Sequence, residues 1–226
     1  MSREIITNEE ELGGYTVEVN VAKEGQAVRS VITELKEIIK EKNLNCLSAP
    51  QIGVNMRVFV INFNGDLQSF VNPIFVPSND SLVFEYIETC PCLPNRRFIR
   101  PRYNDIEIIY STPLGVPKQS RLVGPSAVAY QYCVDHLNGL LLSDVALEID
   151  ENYDNATEEE RIELIKWYKD TLEIKKEKLE EEIQKDEMLK KTSDAIDFME
   201  KVRAGEVKVS EKSVSVSKNK KKKDNE

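Results

Sequence analysis

The chain has no long hydrophobic run, although 40% of its 226 residues are hydrophobic. No stretch approaches the roughly 20 apolar residues of a membrane-spanning helix, and the start of the chain lacks the apolar core of a signal peptide. These absences argue against a membrane protein or a secreted one, so we expect a cytoplasmic location. The apolar content is still sufficient for one medium-sized domain with a buried core.

Cysteine is scarce, and positive charge falls short of negative charge. The 31 basic and 40 acidic residues give a formal net charge of -9, which argues against general nucleic-acid binding. A local exception is the lysine-rich run at 218–223, which is typical of a solvated tail. The four cysteines, with no secretory signal before them, indicate free thiols or metal ligands rather than a disulfide framework.

Histidine is scarcer still, since His136 is the single one in the chain. It lies in a stretch, residues 131–139, that looks like a metal-binding helix in which two of the functional residues are replaced. Residues four apart lie on one face of a helix, so two histidines at that spacing hold one metal while a glutamate beside the first acts as base. Here Tyr132 occupies the position of the first histidine, and Cys133 that of the glutamate.

The pattern of apolar residues and turn signals predicts an α+β fold with antiparallel strands. The predicted elements are a helix over 26–43, strands over 57–62, 68–72, 81–88 and 105–110, and a helix over 131–140 laid against the strands. The turn between the first two strands is signalled by Asn64-Gly65.

The composition changes abruptly at Thr157. The segment from Thr157 to Glu160 has the form of a capping box, so a long charged helix should begin there. We expect Trp167 and Tyr168 to dock its start onto the domain. Lysines interrupt its thin apolar stripe, so the helix should pack over part of its length or need a partner. The stripe consists of Ile162, Ile165, Leu172, Leu179 and Ile183. The chain then divides into a domain over 1–150, a helical extension over 151–204 and a disordered Ser/Lys-rich tail over 205–226.

Three collinear stretches resemble the signature motifs of peptide deformylases, metalloenzymes that remove the N-formyl group from nascent polypeptides. The first motif, Gly-Φ-Gly-Φ-Ala-Ala-Pro-Gln, lies on residues 44–51, and the second, Glu-Gly-Cys-Leu-Ser-x-Pro-Gly, lies on residues 88–95. The third, Gln-His-Glu-x-Asp-His-Leu-x-Gly, lies on residues 131–139. The resemblance spans residues 27–149 and implies antiparallel strands packed around a central helix, with a long C-terminal helical extension as an addition.

The resemblance also implies a metal site whose ligands are altered in this chain. An active deformylase binds Fe(II) or Zn through one cysteine and two histidines, and a glutamate handles the proton of the metal-bound water. Cys90 and His136 keep ligand positions, but Tyr132 replaces the other histidine, and a neutral phenol is a poor ligand at pH 7. Cys133 replaces the glutamate, and its thiol cannot simply substitute for a carboxylate because its reference pKa lies several units higher.

The same resemblance implies that transition-state stabilisation is altered as well. Gln51 retains the side chain that hydrogen-bonds to the oxyanion. Pro91, however, occupies a position whose backbone N–H also donates to the oxyanion in the family, and proline has no N–H. We therefore expect Gln51, Pro91 and Cys133 to be vestigial. Leu44 and Cys46 replace two glycines that let the substrate approach closely. The residues expected to line the old cleft are Leu44, Cys46, Gln51, Cys90 and Tyr132.

All four cysteines fall inside the three motifs, and two hypotheses explain this. One is a closed structural zinc site built from Cys90, Cys133 and His136 with either Cys46 or Cys92 as substitute ligand. The other is a set of small buried thiols that fill the volume vacated by the metal and by larger side chains. The second is favoured.

The resulting prediction is a degenerate deformylase-like protein with no cofactor, serving as a binding or structural module of a larger assembly. Its protein partner would dock on the C-terminal helix, and a phage origin would place it in the host cytoplasm or the virion. The alternative is an active peptide deformylase with Zn or Fe(II). A hydrolase with Cys133 as nucleophile and His136 as base is disfavoured, because residues three apart on a helix point in parallel.

Overall fold

The computed structural model describes residues 3–171. The helices are α1 (Glu9–Leu12), α2 (Val21–Lys42), α3 (Pro125–Leu137), α4 (Leu142–Val145) and α5 (Glu151–Asn155), and residues 158–171 are also helical. The strands are β1 (Cys46–Ser48), β2 (Val58–Phe63), β3 (Asp66–Pro77), β4 (Val83–Cys90), β5 (Leu93–Tyr103), β6 (Asp105–Ser111), β7 (Pro117–Val123) and β8 (Leu147–Ile149). One 3-10 turn, Ala49–Ile52, follows β1.

The strands form two antiparallel sheets. One has five strands in the order β1-β2-β3-β6-β7, and the other has three in the order β4-β5-β8. Every pairing within them is antiparallel. The predicted α+β class is therefore confirmed, and strands β1 and β4, which carry two of the three motifs, are both edge strands.

Helix α3 lies at the centre of the fold and contacts strands of both sheets. Its start is favoured by Pro125 in the first turn, where the missing N–H has no helical partner to lose. Tyr130 is fully buried and meets the rings of Phe59 and Phe70 edge-on, with centroids 5.0 and 5.2 Å away. This packing holds the third motif between the sheets.

The predicted elements are present with shifted ends. Helix α2 begins at Val21 rather than at residue 26, because Asn20 caps it and Glu24 accepts a hydrogen bond from the Asn20 N–H in return. Helix α3 ends at Leu137, short of the predicted 140, where the chain turns through Gly139 at φ +71°. A Cβ on Gly139 would lie 3.0 Å from the Gly13 backbone, so glycine is required there.

Strands β1, β5, β7 and β8 lie outside the predicted set. Strands β1 and β8 have only three residues each, too few for an alternating pattern, and β1 falls in a stretch whose sequence is typical of a loop. Strand β5 is rich in arginine and contains two prolines, so it lacks the apolar alternation of a half-buried strand. Two of its arginines, Arg100 and Arg102, are nevertheless accommodated below the surface by ion pairs. Strand β7 is an edge strand with a mostly exposed polar sequence, so neither of its faces produces an apolar pattern.

The capping box predicted at Thr157 is present. The Thr157 N–H donates to a Glu160 carboxylate oxygen at 2.8 Å, and the Glu160 N–H donates to the Thr157 hydroxyl at 3.3 Å. Tyr168 is 7% exposed and Trp167 60%, so Tyr168 supplies more of the burial. The compact unit that holds both sheets extends to Tyr168, and a second begins at Lys169.

Much of the predicted extension, including the apolar stripe from Leu172 and the tail over 205–226, lies outside the described residues. The predicted boundaries at 150 and 204 stay predictions. In the part of the chain that the structure describes, no helix is long and apolar enough to span a membrane.

A buried ion network links β4, β5 and α3. Arg102 on β5 is 3% exposed; its Nε and Nη2 donate to the two carboxylate oxygens of Glu88 on β4 at 2.6 and 2.8 Å. Its Nη1 donates to Asp135 on α3 at 2.6 Å, and Arg100 reaches the same Asp135 oxygen at 3.2 Å. The network thus joins the second and third motifs through β5.

Replacing Arg102→Met should lower the free energy of unfolding by about 3–5 kcal/mol, because Glu88 would stay buried without its main partner. The measurement is urea unfolding followed by circular dichroism. Arg121→Met is the matched control, since Arg121 pairs with Asp105 on an exposed surface and should matter little. Equal losses in the two variants would contradict a structural role for the network.

Candidate functional site

The fold brings the three motif stretches together around Cys90, at the end of β4. Tyr132 and His136 project from successive turns of α3, and Gln51 comes from the 3-10 turn after β1. All four side chains are buried, with exposures between 0 and 6%. The sequence pattern alone could not predict the contacts among these four side chains, because they lie on chain segments that are far apart in sequence.

The Tyr132 hydroxyl forms the central hydrogen bond of the cluster. It donates to Cys90 Sγ at 3.0 Å and accepts from Gln51 Nε2 at 3.1 Å. His136 Nε2 lies 3.4 Å from the same Cys90 Sγ. Tyr132, which stands where the resemblance expects a histidine, therefore contacts both Cys90 and Gln51.

The Gln51 amide is used inside the cluster. Its Oε1 accepts from the Ser48 N–H at 2.9 Å, and its Nε2 lies 3.4 Å from Cys92 Sγ as well as 3.1 Å from the Tyr132 hydroxyl. These partners satisfy the amide. An oxyanion would have to compete with them for the same N–H groups.

Burial and hydrogen bonding set the ionisation of the cluster. Burial, followed by the neighbouring Cys90, raises the pKa of Tyr132 well above its usual value, so its phenol is neutral at pH 7. The pKa of the Cys90 thiol is lowered, first by its hydrogen bond with the Cys92 thiol and then by His136. The pKa of Cys92 is raised by the same hydrogen bond and by burial.

The donors present do not fit the metal that the resemblance implies. Cys90 and His136 are close enough to share an ion. The third ligand position, however, is occupied by Tyr132, a neutral phenol that is hydrogen-bonded to Cys90. A ligating histidine almost always donates its second ring N–H, whereas His136 Nδ1 is buried with no partner among the described residues. Within residues 3–171, no group of three or more His, Cys, Asp or Glu side chains is close enough together to hold a metal ion.

Cys133 has a different set of neighbours. Its thiol is fully buried and interacts with the side chains of Cys46 and Ser48, while His136 faces Cys90. Burial is the first cause that raises the pKa of Cys133 well above its usual value. Because the His136 ring nitrogen faces Cys90 rather than Cys133, this arrangement adds to the argument against a Cys133–His136 hydrolase.

A cleft of about 460 Å³ opens beside the cluster. Leu44, Cys46, Pro91 and Tyr132 are among the residues that line it. Gln51 and Cys90 are buried next to the cleft rather than on its surface. Tyr132 therefore lies between the open space and the buried Gln51 and Cys90 side chains.

A sequence model of the family described as polypeptide deformylase matches residues 4–152. The chain belongs to the polypeptide deformylase family. The peptide deformylase of Dictyoglomus turgidum is 30% identical over 128 residues, which are 57% of this chain and 82% of that protein. That of Pseudothermotoga lettingae is 31% identical over 127 residues, which are 56% and 72% of the two chains.

Solved structures of deformylases agree in fold. A peptide deformylase from Legionella pneumophila aligns with a TM-score of 0.57 and 23% identity, covering 77% of this chain and 98% of that one. A probable peptide deformylase from Synechococcus phage S-SSM7 aligns with a TM-score of 0.56 and 25% identity, covering 63% and 99%. The predicted family and its fold are both confirmed.

Removing the Tyr132 hydroxyl tests its part in the cluster. Tyr132→Phe should lower the free energy of unfolding by about 1–3 kcal/mol, because Gln51 and Cys90 lose a buried partner. It should also raise the pKa of the Cys90 thiol, since the hydrogen bond from Tyr132 contributes to lowering it. Urea unfolding and thiolate absorbance against pH measure the two effects.

Tyr110→Phe is the control, at a half-buried tyrosine outside the cluster. It should leave the titration of the thiols unchanged. A Tyr132→Phe protein with wild-type stability and an unchanged thiolate titration would show that the phenol contributes nothing to the cluster.

Proposed function

We propose that this deformylase-family protein has lost deformylase activity and acts as a binding module of a larger assembly. The observation that carries the proposal is the hydrogen bond from the Tyr132 hydroxyl to Cys90 Sγ at 3.0 Å. It places a neutral phenol at a position that the family gives to a metal ligand. The proposal includes the absence of a bound metal, for which the donors present are unsuitable.

Two further changes support the loss of activity. Cys133 replaces the base, and general acid–base catalysis typically contributes about 10² to 10⁴ in rate. Pro91 removes an oxyanion donor, which typically costs on the order of 10² to 10³. These losses combine to roughly 10⁴ to 10⁷ before any effect of the altered ligand set.

The cleft is the first candidate binding surface. It lies between residues 43–46 beside β1 and residues 86–91 of β4 and its turn. Both strands are sheet edges, whose free backbone groups can pair with an extended peptide. Leu44, Ile87 and Val128 make its wall partly apolar, which suits a peptide with an apolar side chain.

The C-terminal helix is the second candidate surface. In its described part, Ile162 is 58% exposed and Trp167 60% exposed, and large exposed apolar side chains are typical of contact sites. Similar structures from two bacteriophages support a phage origin. The assembly would then lie in the host cytoplasm or in the virion.

The alternative is an active peptide deformylase. Its support is that Gln51, Cys90 and His136 still lie in one cluster and that the relatives are peptide deformylases. This alternative requires another group to supply the third ligand and the base.

Activity on formyl-Met-Ala-Ser decides between them. Full-length protein, purified anaerobically with Fe(II) or Ni(II), should turn over at least about 10⁴-fold more slowly than an enzyme of median rate, roughly 10 per second. The variant Tyr132→His/Cys133→Glu/Pro91→Leu should bind about one equivalent of metal and gain turnover, because all three lost functions are restored. Wild-type turnover within tenfold of the median would overturn the proposed function.

Peptide binding tests the cleft separately from catalysis. Formyl-Met-Ala-Ser should bind the wild-type protein, and Ala129→Trp should weaken that binding at least tenfold because the indole fills the cleft. Isothermal titration calorimetry gives both dissociation constants. Ala22→Trp, on the exposed face of α2, is the control and should bind like wild type. Equal affinity in all three proteins, or no binding by wild type, would exclude this cleft as the peptide site.

A further inference from the structure

Two cysteines meet beneath the cleft and have no part in the Cys90 cluster. Cys46 is the first residue of β1; it is partly exposed and lines the cleft. Cys133 lies on α3 and is fully buried; Cys46 and Ser48 lie on one face of β1, and both side chains interact with Cys133. The pair therefore combines one thiol that a small solute can reach with one that it cannot.

The backbone on both sides of this pair is held firmly. Strand β1 is paired with β2 through all three of its residues. The Ser48 hydroxyl donates to the Cys133 carbonyl oxygen at 3.3 Å, which fixes β1 against α3 next to the two thiols. Both cysteines are free, and Cys46 packs against the core cluster that contains Cys133. Such an arrangement favours reaction between the two sulfur atoms over reaction with other thiols.

We propose that Cys46 and Cys133 are a peroxide-reactive pair that forms a reversible disulfide. In the first step, Cys46 Sγ attacks a hydroperoxide ROOH; the O–O bond breaks, a sulfenic acid forms and ROH leaves. In the second, Cys133 Sγ attacks the Cys46 sulfur; the S–O bond breaks, the S–S bond forms and water leaves. The two thiols are oxidised by two electrons, and the peroxide is reduced by two.

The order of the two steps follows from exposure. The peroxide can reach Cys46 from the cleft, and Cys133 then acts as the resolving thiol from within the core. The other neighbouring pair, Cys90 and Cys92, is buried on both sides, with exposures of 3 and 0%. The Cys90 sulfur is also surrounded by Tyr132, His136 and Gln51. That pair lacks a thiol open to the solute.

The disulfide would have two structural consequences. It would tie β1 to α3 directly under the cleft and withdraw the Cys46 thiol from the cleft wall. It would also cross-link positions distant in sequence, which restricts the unfolded chain and raises the thermal midpoint. Both consequences are independent of whether the cleft binds a peptide or the protein hydrolyses one.

Peptide mapping of the oxidised full-length protein tests the proposal. Reduced protein is treated with one equivalent of hydrogen peroxide and denatured, its remaining thiols are alkylated, and it is digested without reductant for mass spectrometry. The expected result is a peptide linked through Cys46 and Cys133, with Cys90 and Cys92 alkylated. The thermal midpoint should rise on oxidation, and dithiothreitol should reverse both changes.

Two variants complete the experiment. Cys46→Ser should abolish the cross-link and the thermal shift, whereas Cys92→Ser should retain both. A Cys90–Cys92 linkage as the main product, or Cys46 ending as a sulfinic acid with Cys133 still alkylated after denaturation, would overturn the proposal. Because the mapping of wild-type protein gives this answer alone, a variant that fails to fold would not affect it.

Discussion

Burial of helix α3 between the two sheets is the constraint on which the rest of the structure depends. One side of the helix packs Tyr130 on the aromatic rings of the larger sheet, and its last turns bring Asp135 to the arginines of the smaller one. A polar side chain on such a helix must find a buried partner, because an unpaired one costs free energy of folding. Each departure from the family pattern on α3 is therefore also a change in the core.

Tyr132 shows how that constraint is met. The phenol is larger than the imidazole that the resemblance expects, and its hydroxyl needs hydrogen-bond partners at 6% exposure. The groups within reach are Gln51 and Cys90, and it bonds to both. Side chains that the resemblance would direct towards a metal and a substrate bond to one another here, and these hydrogen bonds contribute to the stability of the core.

Sequence reasoning was most successful where local chemistry and motif order agreed. The capping box at Thr157 and the apolar face of α2 are local signals, and the three collinear motifs identified the family. The Arg102 network was not predicted from the sequence. A buried charge can be recognised only together with its partners, and these lie on β4 and α3. Likewise, the four cysteines were recognised as one group, but their division into Cys46–Cys133 and Cys90–Cys92 depends on how β1 and the β4 hairpin meet α3.

Among the changes that support the proposed loss of activity, Pro91 differs from the others because its effect is covalent. A third metal ligand could in principle be supplied by another group, and a thiol or a water could take over part of the proton transfer. No side-chain movement can give proline an N–H, so the backbone donor at that position is lost in every conformation of the chain. Gln51 cannot compensate freely, since its amide already bonds to Tyr132, Cys92 and Ser48. Recovery of the metal alone would thus leave the oxyanion with a weakened site.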